Sequence, residues 1–331
     1  MKLRVAVLYG GRTGEHEVSL RSAESVVAAM EPSRYEVERI LITKEGRWTP
    51  RPILPEPGAN AGIEVVFPVL HGTFGEDGTV QGLLELADLP YVGAGVLASS
   101  VSMDKEIMKR LIADRGLPVV DYQVMHRCQL QPTDTTGARI LAQGCGFPVF
   151  VKPANLGSSV GISKVKTIEE FWPAVNLALE FDRKILVERA IVGREFECSV
   201  LGNQDPVASL PCEILPSRDF YDYEDKYLLD QARTVVPADL SAQQTEQIRR
   251  LAVECYQAVE CEGMARVDFL MESASGKFFI NEINTIPGFT SISMYPKMWE
   301  ATGLPYPKLI DRLIELALER HRQKQKIRYY R

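Results

Sequence analysis

The run Arg266-Val267-Asp268-Phe269, followed after a short interval by Asn281-Glu282-Ile283-Asn284-Thr285-Ile286-Pro287-Gly288, decides how this chain reads. Both runs have strand character, and Ser273-Ala274-Ser275-Gly276 between them has turn character. A hairpin centred on Ser275 sets Asp268 opposite Glu282 and Arg266 opposite Asn284. Residues two apart on a strand share a face, and opposed β-carbons lie about 5 Å apart. One face would therefore gather two carboxylates, an amide oxygen and a guanidinium, while Val267, Phe269 and Ile283 turn into a core. Such oxygens are the hard donors that Mg²⁺ takes together with phosphate oxygens and water. A hairpin with one polar face is also what a half-solvated sheet looks like. The company the hairpin keeps must decide.

At 331 residues the chain exceeds what one hydrophobic core usually serves, so two or three domains are expected. A hydrophobic share of 45% and a charged share of 25% are those of a soluble globular protein. A net charge of −6 argues against a dedicated binder of nucleic acid or anionic membrane. A nucleotide can still bind, since its phosphates need only a local cationic pocket and a metal. Cys128, Cys145, Cys198, Cys212, Cys255 and Cys261 have no metal-ligand spacing and read as reduced core thiols, and the four histidines are too dispersed for zinc. No apolar run approaches a membrane span and no signal-peptide pattern opens the chain, so a cytoplasmic location is expected.

Leu3 to Tyr9 is a near-continuous apolar run, as in a buried parallel strand. A helix over 18–30, strands over 35–43 and 64–70, a helix over 77–87 and a short strand over 91–93 follow in alternation, which predicts an α/β domain. One helix over 99–115 leads out of it. The next block reads strand (119–125), helix (135–143), strand (147–152), glycine-rich loop, strand, helix (168–180), strand (185–188), a small α+β unit. Strands then dominate, with a helix over 241–260, the hairpin, and two closing helices. The predicted division is 1–98, 99–189 and 190–331. The stretch 217–233 has four aromatic residues within 218–227 and no clean period, which suits a lid.

Three further motifs carry chemistry. Lys152 ends an apolar strand, where a lysine needs an anionic partner or a route to solvent. The small residues of Ala154-Asn155-Leu156-Gly157-Ser158-Ser159-Val160-Gly161 let backbone N–H groups turn toward phosphate. Gly10-Gly11-Arg12-Thr13-Gly14-Glu15 sits where a strand meets a helix N-terminus, the usual ligand position in open α/β sheets. It lacks the GxGxxG spacing of a dinucleotide site, and Glu15 at that mouth suits an ammonium better than a phosphate. His71, at the end of a predicted strand, could orient substrate or handle a proton.

Read in order, Gly-Gly-Arg-Thr-Gly-Glu-His-Glu-Val-Ser (10–19), His-Gly-Thr-Phe-Gly-Glu-Asp-Gly (71–78), Met-Asp-Lys (103–105), Gly-Ser-Ser-Val-Gly (157–161), Tyr-Asp-Tyr-Glu-Asp-Lys-Tyr (221–227) and Asn-Glu-Ile-Asn-Thr-Ile-Pro-Gly-Phe-Thr-Ser (281–291) resemble the ATP-grasp superfamily. Within it they resemble the D-alanine–D-alanine ligases, over nearly the whole chain. The resemblance implies an ATP-grasp fold, α/β and α+β, behind an N-terminal parallel-sheet, Rossmann-like domain. It implies ATP and two Mg²⁺ (or Mn²⁺) ions, with Asp268, Glu282 and Asn284 as metal ligands. Lys105, Lys152 and Lys226 match phosphate contacts. Glu188, Ala190, Ile191 and Glu195 match the segment holding adenine and ribose, with Ser159 and Phe220 also at the nucleotide. Glu15 matches the residue that engages the first D-alanine's ammonium, in a network with Ser158 and Tyr227, and His71 lies near that substrate's carboxylate. Arg266 and the Gly288 N–H match the oxyanion stabilisers, and Ser293 and Met294 the second D-alanine's pocket. A homodimer through the N-terminal domain is implied as well.

The chemistry needs these groups. A carboxylate is activated as an acyl phosphate, an amine attacks it, and the oxyanion that develops needs donors. An acyl phosphate hydrolyses in water, so the site needs a lid. The Lys226-Tyr227 pair, absent in the relatives that make D-alanyl-D-lactate, implies an amine as second substrate. The rival readings are another ATP-grasp ligase, including a D-alanine–D-lactate ligase, and a non-catalytic nucleotide-binding module.

Overall fold

The computed structural model describes residues 2–129, 145–158, 160–215 and 233–329. Strand β1 (Leu3–Gly10) pairs in parallel with β2 (Tyr35–Ile42) and with β4 (Val65–Pro68), and the two-residue β3 (Trp48–Thr49) adds to β2 antiparallel. Val5 to Leu8 are all 1% exposed or less, because both faces of this central strand are covered. Helices α1 (His16–Ala29) and α2 (Thr79–Leu86) start near the carboxyl ends of β1 and β4 and direct the 10–15 and 71–78 loops to one rim. The short strand expected at 91–93 reduces to an isolated bridge between Val66 and Tyr91.

The single helix expected over 99–115 is two, α3 (Val96–Met103) and α4 (Lys105–Asp114). Asp104 between them is extended, and its carboxylate accepts from the N–H groups of Glu106 and Ile107 at 3.2 Å each. A helix periodicity continues through the sequence, but an aspartate that caps the backbone stops one helix and starts the next.

The central sheet contains β5 (Tyr122–His126), β6 (Val149–Pro153), β7 (Ser163–Val165) and β8 (Lys184–Arg189), all antiparallel in the order β5-β8-β6-β7. Helix α5 (Phe171–Phe181) covers one face with Phe171, Ala174, Val175 and Ala178. The helix expected over 135–143 lies outside the described residues.

The largest sheet runs β12 (Arg233–Val235), β11 (Cys212–Leu215), β9 (Gly193–Gly202), β13 (Gly263–Glu272), β14 (Phe278–Asn284), with β10 (Val207–Ala208) on β9. Helix α6 (Ala242–Ala258) opens with a capping box, Ser241 to Gln244, and packs Ile248, Leu251, Ala252 and Cys255 on this sheet. Helices α7 (Met294–Ala301) and α8 (Tyr306–Lys324) close the chain, α8 packing Leu309, Leu313 and Ile314 into a core shared with β1 and β4. All six cysteines are free, five of them buried and Cys128 exposed.

Candidate active site

The hairpin register is the expected one: Arg266 faces Asn284 and Asp268 faces Glu282. A bulge after Asp268 shifts the pairing nearer the turn, so that Phe269 pairs with Ile280. Val267, Phe269 and Ile283 are buried on the opposite face. Strand β9 extends the polar row, since Glu197 pairs with Asp268 from the other side. Arg266 grips Asp268 through two bonds of 2.7 Å, Nε to Oδ1 and Nη2 to Oδ2, and its Nε lies 3.3 Å from Glu197 Oε1. Burial works against its charge, but Asp268 and Glu197 outweigh that and raise the guanidinium's pKa. Asn284 Nδ2 donates to Asp268 Oδ2 at 3.1 Å.

Next to this acid-rich row lies a cation-rich one. Lys105 Nζ donates to the Leu156 carbonyl at 2.7 Å and lies 3.6 Å from Glu282 Oε2. Lys152, on β6, forms an ion pair with Glu188, on β8, which meets the need for an anionic partner. The other oxygen of Glu188 lies 2.6 Å from Nζ of Lys109, a lysine fully buried on α4. Burial opposes the Glu188 charge, but Lys109 and Lys152 hold its pKa below the ordinary carboxylate value. Lys105, Lys152, Glu188, Ile191, Glu195, Glu197, Asp268 and Glu282 line one cleft, and the Ala190 N–H beside it is bonded to the Pro148 carbonyl at 3.0 Å.

A cavity of about 350 Å³ opens on the other side of the acidic row. Glu15, His71, Glu76, Ser158, Arg266, Glu282, Asn284, Gly288, Ser293 and Met294 line it. Ser158 Oγ donates to Glu15 Oε1, joining the glycine-rich loop of the central sheet to the rim of the N-terminal one. Ser158 holds φ at +53°, a left-handed conformation that costs a non-glycine residue roughly 1–3 kcal/mol. A Cβ at Gly288 would stand 2.7 Å from Ser293 Oγ, so a side chain there would have to displace that hydroxyl. His71 is buried with both ring nitrogens engaged, Nδ1 with the Ile286 carbonyl and Nε2 with Ser22 Oγ, each at 3.1 Å. Burial lowers its pKa. Ser159, Phe220, Lys226 and Tyr227 lie outside the described residues.

Among the described residues no three His, Cys, Asp or Glu side chains converge as a metal cage. Asp268, Glu282 and Asn284 instead offer two carboxylates and a carboxamide on facing strands. That donor set fits a hard divalent cation whose remaining ligands are phosphate oxygens and water. Any such cation shares Asp268 with Arg266.

The sequence reading did not single out Glu76, Glu197, Ser22 or Lys109. An acidic residue on the buried strand β9 was the available signal for Glu197. Glu76 stood in plain view within the 71–78 motif, but its partner is 210 positions away.

The model for the D-ala D-ala ligase C-terminus matches residues 111–315, and that for the N-terminus matches 4–58 and 53–94. A D-alanine–D-alanine ligase of Solibacter usitatus is 67% identical over 331 residues, covering 100% of both chains. One from a Thermoanaerobacter species is 47% identical, covering 98% of each. Among solved structures, the D-alanine–D-alanine ligase of Coxiella burnetii superposes with a TM-score of 0.87 at 42% identity, over 98% of this chain and 96% of that one. The VanG D-Ala:D-Ser ligase of Enterococcus faecalis superposes with a TM-score of 0.86 at 34% identity, over 96% and 100%.

Proposed function

The chain belongs to the D-alanine–D-alanine ligase family and has the ATP-grasp fold, and from that premise we propose which of its own residues carry the reaction. The enzyme joins two D-alanine molecules into D-alanyl-D-alanine, for peptidoglycan precursors, converting ATP to ADP and phosphate with Mg²⁺. The observation that carries the assignment of roles is the row Glu197–Asp268–Glu282, with Arg266 and Asn284, set between a lysine-lined cleft and a small polar cavity.

Asp268, Glu282 and Asn284 would hold Mg²⁺, which would supply charge neutralisation for phosphoryl transfer. Lys105 and Lys152 hold the phosphates from the opposite side, and Lys109 keeps Glu188 paired when Lys152 turns to the nucleotide. Glu188, Ala190, Ile191 and Glu195 hold adenine and ribose, with Ser159, Phe220 and Lys226 completing the site. Glu15, braced by Ser158 and joined by Tyr227, engages the first D-alanine's ammonium. His71 acts beside that substrate's carboxylate through the loop it anchors, since its ring nitrogens are already committed. Ser293 and Met294 receive the second D-alanine, whose amine attacks the acyl phosphate. Arg266 and the Gly288 N–H stabilise the oxyanion.

The division at 98 and 189, the lid role of 217–233, a cytoplasmic location and a homodimer through the N-terminal unit belong to the same reading. Among the described residues no helix is long and apolar enough to cross a membrane. The test is incubation with ATP, Mg²⁺ and D-alanine. Phosphate release matched by dipeptide is expected; release only with a hydroxy acid present would favour the D-alanine–D-lactate activity, and none a silent module. Glu282→Gln, which keeps the volume, should lower kcat/KM roughly 10²-fold or more, given the several kcal/mol a metal contributes. Near-normal turnover in that variant would refute the metal assignment.

A further inference from the structure

We propose that Glu76 is a positioning residue for the amine-addition step: with His71 it grips the Ile286 peptide from both sides and so fixes the Gly288 N–H as an oxyanion donor. The inference rests on the role given to Gly288 above. Glu76 Oε1 accepts the Ile286 N–H at 3.2 Å, and Oε2 accepts the Gly72 N–H at 2.7 Å. The Ile286 carbonyl faces His71 Nδ1 at 3.1 Å, so that nitrogen carries the proton and Nε2 is left as acceptor. Ser22 Oγ–H then donates to Nε2 at 3.1 Å and accepts the Phe289 N–H at 3.3 Å. Every member of this chain is satisfied with a neutral histidine, the form its burial favours. Gly288 thus stands between two backbone units anchored to the N-terminal sheet's loops and helix, while Arg266, the other donor, rides on β13.

A packing role alone would be served as well by an apolar side chain, because a buried carboxyl is costly to keep. Burial, helped by the nearby Glu15 charge, pushes Glu76 up to about 8. What a carboxyl offers, and an amide does not, is an oxygen at each position facing a backbone N–H. In Glu76→Gln one of the two N–H donors must meet an NH₂ group.

The experiment compares wild type, Glu76→Gln and Arg266→Lys in kcat, in KM for ATP, and in affinity for a phosphinate analogue of the dipeptide, whose tetrahedral phosphorus mimics the adduct. Glu76→Gln is expected to lower kcat and phosphinate affinity together, roughly 10-fold to 100-fold as for a displaced donor, with KM for ATP within about twofold. Unchanged kcat and phosphinate affinity in Glu76→Gln, with both lost in Arg266→Lys, overturns the clamp alone. Unchanged phosphinate affinity in Arg266→Lys overturns the oxyanion reading itself. If Glu76→Gln does not fold, Ser22→Ala loosens the same 286–289 segment from the Phe289 side and is expected to shift the same two readouts in the same direction; no shift overturns the clamp.

Discussion

Glu188 and Glu76 are two buried carboxyls pushed in opposite directions by what surrounds them. Lysines on two elements hold Glu188 ionised, whereas at Glu76 burial, helped by the Glu15 charge, outweighs two backbone N–H groups and the more distant Arg266 and raises it to about 8. The direction of the stability effect follows. A carboxyl released on unfolding titrates near its ordinary 4.5, so between that value and about 8 the folded state binds the proton more tightly. Its contribution is complete below pH 4.5 and is lost as pH rises through about 8. The stability of wild type minus that of Glu76→Gln should therefore fall from pH 5 to pH 8.5, and urea unfolding at several pH values measures it. A flat difference would mean that Glu76 titrates normally.

At the scale of elements, the break between α3 and α4 places Lys105 at the lysine-lined cleft. Asp104 caps α4, and Lys184 on β8 donates to both of its oxygens, at 2.7 and 2.6 Å, and to Glu106 at 2.7 Å. Lys105, the first residue of α4, thereby starts the helix with its N–H bonded to the Ala154 carbonyl and its Nζ at the cleft. An unbroken helix through 104 would lack this cap and the aim it gives Lys105. Asp104→Ala should lose about 1 kcal/mol of stability from the cap and raise KM for ATP, whereas Ser241→Ala, a cap of similar worth remote from the cleft, should cost about the same and leave KM unchanged. Chemical denaturation and initial rates on both variants check the contrast; equal KM values would remove Asp104 from any part in aiming Lys105.

At the scale of the molecule, the site belongs to no single sheet. Glu15 and His71 come from the N-terminal sheet's rim, Ser158 and Lys152 from the central sheet, and Arg266, Asp268 and Glu282 from the largest sheet. The cores beneath are well closed. Five of six cysteines are buried, and burial pushes the thiols of Cys198 and Cys261 up to about 12. A disulfide reagent at pH 8 should therefore titrate one thiol quickly in the native protein, at Cys128, and six after denaturation. Two or more fast thiols would show that a core opens readily.

Sequence alone determined whatever depends on near neighbours: the polar face of the β13–β14 hairpin, its register at Asp268 and Glu282, the apolar faces that bury, and the order of motifs that marks the family. Strand alternation and turn residues are local, so they survive translation into structure without knowledge of the rest of the chain. Tertiary structure alone decided that Lys184 grips Asp104 at the helix break, that Glu197 joins the acidic row, that Lys109 shares Glu188, and that Glu76 and His71 close on Ile286. Those choices depend on which distant backbone or charge arrives alongside once the sheets dock, and no periodicity in one segment records the partner that another will bring.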